Sequence, residues 1–146
     1  GFFQRLAVLA EQHGVTVCLE PNPVCYGSNF MTSSAETASV VNAVGNPSLK
    51  MQFDTGALSI NGESPHGVCA QFHHLIGHVH ASEPQLVPVG TGSTDHKGSA
   101  AALREFLPEA PVTIEMLTNT VDDPIAAIES SIKYVVSHYG SAPEDL

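Results

Sequence analysis

The chain has 146 residues, enough for one domain with a hydrophobic core, and 42% of its residues are hydrophobic while 14% are charged. This balance excludes an intrinsically disordered chain, and no apolar run is long enough to predict a membrane-spanning helix. Five Lys and Arg against 15 Asp and Glu give a formal net charge of −10, which weighs against binding to nucleic acid. Three cysteines without close spacing favour free thiols in a cytoplasmic protein.

The first fifth of the chain predicts a helix followed by a strand. Residues 2–13 have apolar side chains at helical spacing, and Gly14 provides a stop signal. The apolar face of this helix consists of Phe2, Leu6, Leu9 and Ala10. Residues 15–20 form a short β-branched run that predicts the first strand, and residues 21–30 are rich in Pro, Gly and Asn.

The next segments continue the alternation of helix and strand. Ser33 with Glu36 has the spacing of a capping box and predicts a helix that ends near Val44. Residues 49–54 (LKMQFD) predict a second strand. Ser64 before a proline predicts the start of another helix.

The last two strands and helices follow in the same order. Strands are predicted at residues 76–81 and 111–116, with a Pro- and Gly-rich loop at 82–94 and a helix at 99–107 between them. Asp123 before a proline predicts the final helix, and the six residues at the end are predicted to be frayed. Apolar residues recur at helical spacing in that helix at Ile125, Ile128, Ile132 and Val135.

This order predicts an α/β fold in a single domain over residues 1–146: a leading helix and then four βα units, (βα)4. Short apolar strands that alternate with amphipathic helices form parallel sheets with the helices packed outside. The carboxyl ends of such strands all lie on one face of the sheet.

Each predicted strand has, at its last or next-to-last position, a side chain that can bind a metal ion. These four residues are Glu20, Asp54, His80 and Glu115. Three carboxylates and one imidazole suit one divalent cation, either Mn²⁺, Mg²⁺, Co²⁺ or Zn²⁺, with positions left open for water or substrate. For each residue alone the alternative is structural, because an acid at a strand end also caps the next helix or solvates a loop.

Three further residues are candidate substrate contacts near the same strand ends. Asn22 follows Glu20 and either contacts substrate or shapes a turn. Glu83 follows His80 by three residues and either binds substrate hydroxyls or lies in solvent. His96 either reaches the site or occupies the first turn of the next helix and faces solvent.

Four short motifs give the chain a recognisable resemblance. In chain order they are LEPNP, QFDTG, GHVHASEP and TIEML. In this order and spacing they resemble the second half of the xylose isomerase-like TIM barrels, which include sugar isomerases and epimerases, inosose dehydratases and apurinic endonucleases. The resemblance implies that Glu20, Asp54, His80 and Glu115 bind a single metal ion and that Glu20 and Glu115 are the catalytic acid/base pair.

The chain departs from the epimerase pattern at two positions. Epimerases of the family commonly have a His where this chain has Ala57 and an Arg where it has Leu86. These differences argue against a ketohexose as substrate, and the missing His argues against the multi-zinc nuclease.

The resemblance implies a metal-dependent isomerase or epimerase that acts on a sugar or polyol ketone through an enediolate. A full barrel needs about 250 residues, so this chain corresponds to half of one. We therefore expect a homodimer in which two copies cover each other's open sheet edges. The alternative is a truncated or non-catalytic half-barrel that binds metal or polyol without turnover.

Overall fold

A computed structural model describes residues 1–140, and the predicted frayed end at residues 141–146 lies outside the described residues. The strands are β1 (Val17–Leu19), β2 (Leu49–Asp54), β3 (Ile76–Ala81) and β4 (Val112–Ile114). The α-helices are α1 (Phe2–Gln12), α2 (Ser34–Val44), α3 (Thr55–Asn61), α4 (Pro65–Phe72), α5 (His96–Phe106) and α6 (Pro124–Tyr139). Short 3₁₀ turns lie at Val24–Tyr26, His73–Leu75 and Pro84–Leu86.

The four strands form one parallel sheet in the order β1-β2-β3-β4, which confirms the predicted (βα)4 half of a barrel. Each strand therefore pairs with its neighbour in the sequence, as right-handed βαβ units do. Asp54 on β2 lies opposite His80 on β3 in the register of the sheet. The register thus brings two of the predicted ligands side by side.

The hydrophobic core lies between the sheet and the helices on its outer face. Leu19, Phe53 and Val79 belong to this core and are buried, and Ile114 packs against a smaller apolar cluster. Each of these residues directly precedes one of the predicted metal ligands in the sequence. Because successive side chains of a strand point to opposite faces, the four ligands are directed away from the core.

Helix starts were predicted well where a capping side chain marks them. Ser33 and Ser64 accept hydrogen bonds from the backbone N–H groups three residues later, and Asp123 does the same for α6. The predicted capping box is only half formed, since the carboxylate of Glu36 accepts from the backbone and hydroxyl of Thr32 instead of the backbone of Ser33.

Several elements differ from the prediction, and strand β1 covers only Val17–Leu19 of the predicted residues 15–20. Helix α3 was missed, because Asp54 was interpreted as a ligand, whereas it also caps this helix by accepting from the backbone N–H of Ala57. Helix α5 begins at His96, three residues before the predicted start, because Asp95 caps it. Strand β4 covers only the centre of the predicted segment at residues 111–116.

The apolar faces of the first and last helices are not buried within the described residues. In α1, Ala7 and Ala10 are buried, while Phe2 and Leu9 are 67% and 52% exposed. In α6, only Val135 of the predicted apolar residues is buried, whereas Ile125, Ile128 and Ile132 are exposed, as is Val136. We call these exposed apolar residues of α1 and α6 the flanks.

None of the helices in residues 1–140 combines the length and the apolarity that crossing a membrane would require.

Candidate metal centre

The four predicted ligands come together at the carboxyl ends of the strands. Glu20 and Glu115 directly follow β1 and β4, Asp54 ends β2, and His80 is the penultimate residue of β3. One ligand atom of each residue lies within 4.8 Å of the others. Donor atoms that share one ion through bonds of about 2.0–2.2 Å lie about 3–4 Å apart, so the observed cluster approaches the size of a cation site.

His80 lies at the centre of the cluster. Its Nδ1 atom is 3.1 Å from Oε1 of Glu20, 3.2 Å from Oε2 of Glu115 and 3.7 Å from Oδ2 of Asp54. One imidazole nitrogen cannot form good hydrogen bonds with three carboxylates at once. The cluster therefore contains more negative charge than its own side chains neutralise, and a divalent cation is the species that such a donor set fits.

The electrostatics of Glu20 agree with this interpretation. Burial raises the pKa of its carboxyl above the ordinary value, and the nearby charges of Asp54 and Glu115 raise it further, while His80 acts in the opposite direction. The ionised form of Glu20 is thus disfavoured in the absence of a cation.

Asp54 is held more tightly than the other carboxylates. Its Oδ1 atom accepts a hydrogen bond of 2.6 Å from the backbone N–H of Ala57, which is the cap of α3. The hydroxyl of Ser82 lies 2.9 Å from both carboxylate oxygens. Sequence reasoning missed Ser82, because a lone serine after a strand carries no distinctive spacing signal.

A pocket of about 380 Å³ opens beside the cluster. Three of the ligands lie on its wall, namely Glu20, Asp54 and Glu115. Other residues along this wall are Pro21, Asn22, Pro23, Tyr26, Gly56, Ala57, Glu83, Gln85, Leu86 and Leu117. The exposed side chain of Asn22 therefore lies where a predicted substrate contact should be.

The pocket rim is shaped by two residues with left-handed backbone. Gln85 and Leu86 have φ values of 61° and 54°, which non-glycine residues seldom adopt. The backbone N–H of Gln85 donates to the hydroxyl of Tyr26 at 2.8 Å, and the carbonyl of Leu86 accepts from the N–H of Leu117 at 2.7 Å. These contacts hold Leu86 on the pocket wall, and Tyr26 was not singled out from the sequence.

Glu83 and His96 are buried next to each other, and each is only 1% exposed. Oε1 of Glu83 lies 3.0 Å from Nε2 of His96, and the other ring nitrogen of His96 lies 2.7 Å from the hydroxyl of Tyr139. The carboxylate of Glu83 also accepts from the backbone N–H groups of Gly90 and Thr94, both at 3.0 Å. His96 is thus in the first turn of α5, as one of the two predictions had it, but it faces the protein interior and not solvent.

The pKa shifts of this buried pair have a clear physical cause. Burial by itself raises the pKa of Glu83, but the hydrogen bonds from Thr94, Gly90 and His96 outweigh it and lower the pKa overall. Burial lowers the pKa of His96, against the opposite influence of Glu83. The pair is therefore best described as an ionised carboxylate with a neutral imidazole.

Residues 2–138 match the family model described as "Xylose isomerase-like TIM barrel". The chain is 29% identical over 123 residues to an L-ribulose 3-epimerase from Methylomonas sp. (strain DH-1), an alignment that covers 83% of this chain and 42% of that protein. The fold is similar to a D-allulose 3-epimerase from Methylomonas sp., with a TM-score of 0.84 and 21% identity over 93% of this chain and 53% of the other. It is also similar to a 3-keto-D-glucoside 4-epimerase from E. coli, with a TM-score of 0.82 and 19% identity over 92% of this chain and 51% of the other. The chain spans about half the length of these relatives.

Proposed function

Because this chain belongs to the xylose isomerase-like TIM barrel family, we propose that it uses one divalent metal ion to isomerise or epimerise a sugar or polyol ketone. The observation that carries this proposal is the convergence of Glu20, Asp54, His80 and Glu115, whose ligand atoms lie within 4.8 Å of one another beside an open pocket. The relatives described above are epimerases of sugars, which supports the same reaction class.

The four residues would hold Mn²⁺, Mg²⁺, Co²⁺ or Zn²⁺, since three carboxylates and one imidazole form a hard donor set without thiolates. When bound, such a cation polarises the carbonyl group of the substrate and acidifies the neighbouring C–H bond.

Glu20 and Glu115 then supply the proton transfers. One of the two carboxylates removes the proton from the carbon next to the carbonyl, and the bonding electron pair is left in an enediolate. The other returns a proton, either to the opposite face of the same carbon or to the neighbouring carbon. General acid/base catalysis of this kind contributes about 10²–10⁴-fold to a rate. The two residues follow the edge strands β1 and β4, so they approach the proposed site from opposite edges of the sheet.

The substrate is a small sugar or polyol that lies against Asn22 and the apolar residues Ala57 and Leu86 on the pocket wall. Glu83 and His96, which were candidate substrate contacts, are already bonded to groups in the interior. We infer that they order the pocket wall instead of contacting the substrate with their polar atoms.

We also propose that a second copy of this chain covers the flanks. Strands β1 and β4 each pair on only one side within the described residues, and the flanks lie on the helices that precede β1 and follow β4 in the chain. Two half-barrels joined edge to edge supply the eight strands of a closed barrel and bury both sets of apolar side chains. Sedimentation equilibrium at micromolar concentration should give twice the chain mass of 15.3 kDa. A stable monomer would contradict the dimer and leave the flanks to the other half of a longer chain.

A second candidate function is a half-barrel that binds metal or polyol without turnover. This candidate is favoured by the exposure of the flanks, which shows that no second half-barrel covers them within the described residues. A pocket built from one half-barrel alone lacks the substrate contacts that a second half-barrel would supply.

Incubation with Mn²⁺ and a panel of ketoses in D₂O separates the two candidates. If the protein is an enzyme, we expect deuterium to be incorporated at the carbon next to the carbonyl of a ketose. Glu115→Gln should abolish this incorporation. The wild type with a metal chelator serves as the control. Calorimetric binding of Mn²⁺ or of a ketose without deuterium incorporation would support the second candidate, and absence of both kinds of binding would contradict both candidates.

A further inference from the structure

We propose that Ser82 is a positioning residue that presents the carboxylate of Asp54 to the metal ion. This proposal rests on the metal site proposed above, but it concerns a residue that belongs neither to the ligand set nor to the pocket wall. Ser82 is completely buried. Its place in the chain is two residues after His80, at the point where β3 has ended.

The hydroxyl of Ser82 has a defined donor direction. Its oxygen accepts a hydrogen bond of 2.9 Å from the backbone N–H of Gly56. Its proton is then free for Asp54, whose two carboxylate oxygens both lie 2.9 Å from the hydroxyl. Together with the N–H of Ala57, this hydroxyl fixes the plane of the Asp54 carboxylate. Oδ2 of Asp54 is left facing Nδ1 of His80 at 3.7 Å.

The space around Ser82 leaves it little freedom to turn away. A side chain at position 56 would meet the hydroxyl of Ser82 at 2.7 Å, so the glycine there allows the close contact. The backbone of Ser82 is held by Thr55, whose hydroxyl accepts from the Ser82 N–H at 2.9 Å and lies 2.8 Å from the Ser82 carbonyl. The hydroxyl of Thr94 donates to the same carbonyl at 3.3 Å.

The next residue, Glu83, ties this segment to two helices. Its carboxylate is bound by the loop before α5 and by His96 of α5, and His96 in turn contacts Tyr139 of α6. The loop wraps so closely that a Cβ atom on Gly92 would lie 2.2 Å from a Glu83 oxygen. The side chain of Glu83 is therefore anchored in the interior, while that of the preceding Ser82 is directed to Asp54 at the metal centre. This arrangement keeps Ser82 rigidly in place beside the ligand.

A carboxylate that is preoriented loses less conformational entropy when it binds a cation. Partners that hold metal ligands in place typically contribute 10–100-fold to metal affinity. Ser82→Ala removes the hydroxyl but keeps the backbone contacts with Thr55, so we expect the affinity for Mn²⁺ to fall by about 10–100-fold. Ser131→Ala is the matched control, because Ser131 is equally buried and its hydroxyl donates to a backbone carbonyl, that of Val89.

The test is a calorimetric titration of Mn²⁺ into the wild type and both variants, with thermal unfolding of the metal-free proteins measured in parallel. A loss of affinity in Ser82→Ala that Ser131→Ala does not show supports the proposal. Wild-type affinity in Ser82→Ala would overturn it while the metal site stands, and an equal loss in both variants would overturn it as a general effect of destabilisation. If the wild type itself does not bind Mn²⁺, the metal site fails and this proposal fails with it.

A second variant covers the case in which Ser82→Ala does not fold. Ser82→Cys keeps a similar volume and a weaker donor at the same position. We expect its Mn²⁺ affinity to be lower than that of the wild type, and wild-type affinity in a folded Ser82→Cys would count against the proposal.

Discussion

The two central strands of the sheet and its two edge strands hold their ligands in different surroundings. On the central strands β2 and β3, the side chains of Asp54 and His80 are 8% and 22% exposed. On the edge strands β1 and β4, the side chains of Glu20 and Glu115 are 44% and 37% exposed. The described residues thus cover the ligands at the centre of the sheet more fully than those at its edges.

This contrast suggests a division of labour within the proposed site. The centre, with its capped and hydrogen-bonded Asp54, holds the cation in a fixed place. The edges carry the two glutamates proposed to move protons. In the proposed dimer, the second half-barrel covers β1 and β4 and completes the protein environment of these glutamates. Metal binding should therefore depend on this chain alone, while turnover should depend on association.

The largest expected effect is a difference in the free energy of unfolding lost when a core residue or a flank residue is replaced by alanine. Phe53→Ala removes a side chain that is 1% exposed at the centre of the sheet, and we expect the free energy of unfolding to fall by about 3–5 kcal/mol. Ile132→Ala removes an apolar side chain that is 48% exposed, and we expect a change within about 0.5 kcal/mol in dilute solution. Urea unfolding at low protein concentration measures both. A core-like cost at Ile132 would show that the flank is already covered there.

The second effect concerns Asp54, which caps α3 and is also a proposed metal ligand. Asp54→Ser keeps a side chain that caps α3 but removes the ligand, and Ser and Asp are similarly good N-cap residues. Loss of a residue that only positions a ligand lowers metal affinity by up to about 100-fold. Because Asp54 is itself a proposed ligand, we expect its loss to lower the Mn²⁺ affinity by more than this. The free energy of unfolding should change by less than about 1 kcal/mol.

The same substitution at another helix cap is the control for this experiment. Asp123 caps α6 by accepting from the backbone N–H of Ala126 at 3.0 Å, and it is neither one of the four clustered ligands nor a residue of the pocket wall. Asp123→Ser should leave calorimetric Mn²⁺ binding unchanged. Equal losses of affinity in both variants would mean that Asp54 acts only as a cap.

The sequence predicted the centre of the molecule better than its periphery, and the reason is physical. The strands that contain Leu19, Phe53 and Val79 were visible because their short apolar runs alternate with turn residues and with segments at helical spacing. Parallel topology then brings the residues that follow these three together. The apolar faces of α1 and α6 were also visible in the sequence. A periodic pattern indicates that a helix face is apolar, but it does not indicate which part of the protein, if any, covers that face. For this reason the exposure of Phe2 and Ile125 could not be foreseen.

Site details that depend on tertiary contacts were equally hidden. Tyr26 reaches Gln85 from a loop 59 residues earlier in the sequence, and the burial of His96 depends on Glu83 and Tyr139. Helix α3 was missed because a seven-residue helix gives little periodicity and because its capping signal, Asp54, had a second and stronger interpretation as a ligand.

The third prediction concerns Glu20, which directly follows the edge strand β1, and the destabilisation that its ionised carboxylate causes in the metal-free chain. The pKa of Glu20 lies above its ordinary value of 4.5, first because of burial and then because of Asp54 and Glu115. When folding raises the pKa of an acid, its ionisation disfavours the folded state: the cost is fully present above the folded pKa and disappears below the unfolded pKa. We therefore expect Glu20→Gln to increase the free energy of unfolding of the metal-free chain at neutral pH.

This stabilisation should vanish as the pH falls through the raised pKa toward 4.5, and urea unfolding with chelator across that range would show it. Glu109→Gln, which removes one exposed carboxylate elsewhere, controls for the general effect of lowering the net charge of −10. A Glu20→Gln variant less stable than the wild type at neutral pH would show that the crowding of carboxylates is already relieved.

The smallest effect concerns the contact between an edge loop and a central loop at the pocket rim. Tyr26 follows the edge strand β1, and its hydroxyl accepts from the N–H of Gln85, which follows the central strand β3. Tyr26→Phe removes this acceptor, so we expect a loss of about 0.5–1.5 kcal/mol of local stability and faster hydrogen exchange of the Gln85 amide. The amide of Leu117 is an internal control, because it donates to the carbonyl of Leu86 and not to Tyr26. If Gln85 exchanges at the wild-type rate in the variant, the hydroxyl of Tyr26 contributes nothing to the left-handed turn at Gln85 and Leu86.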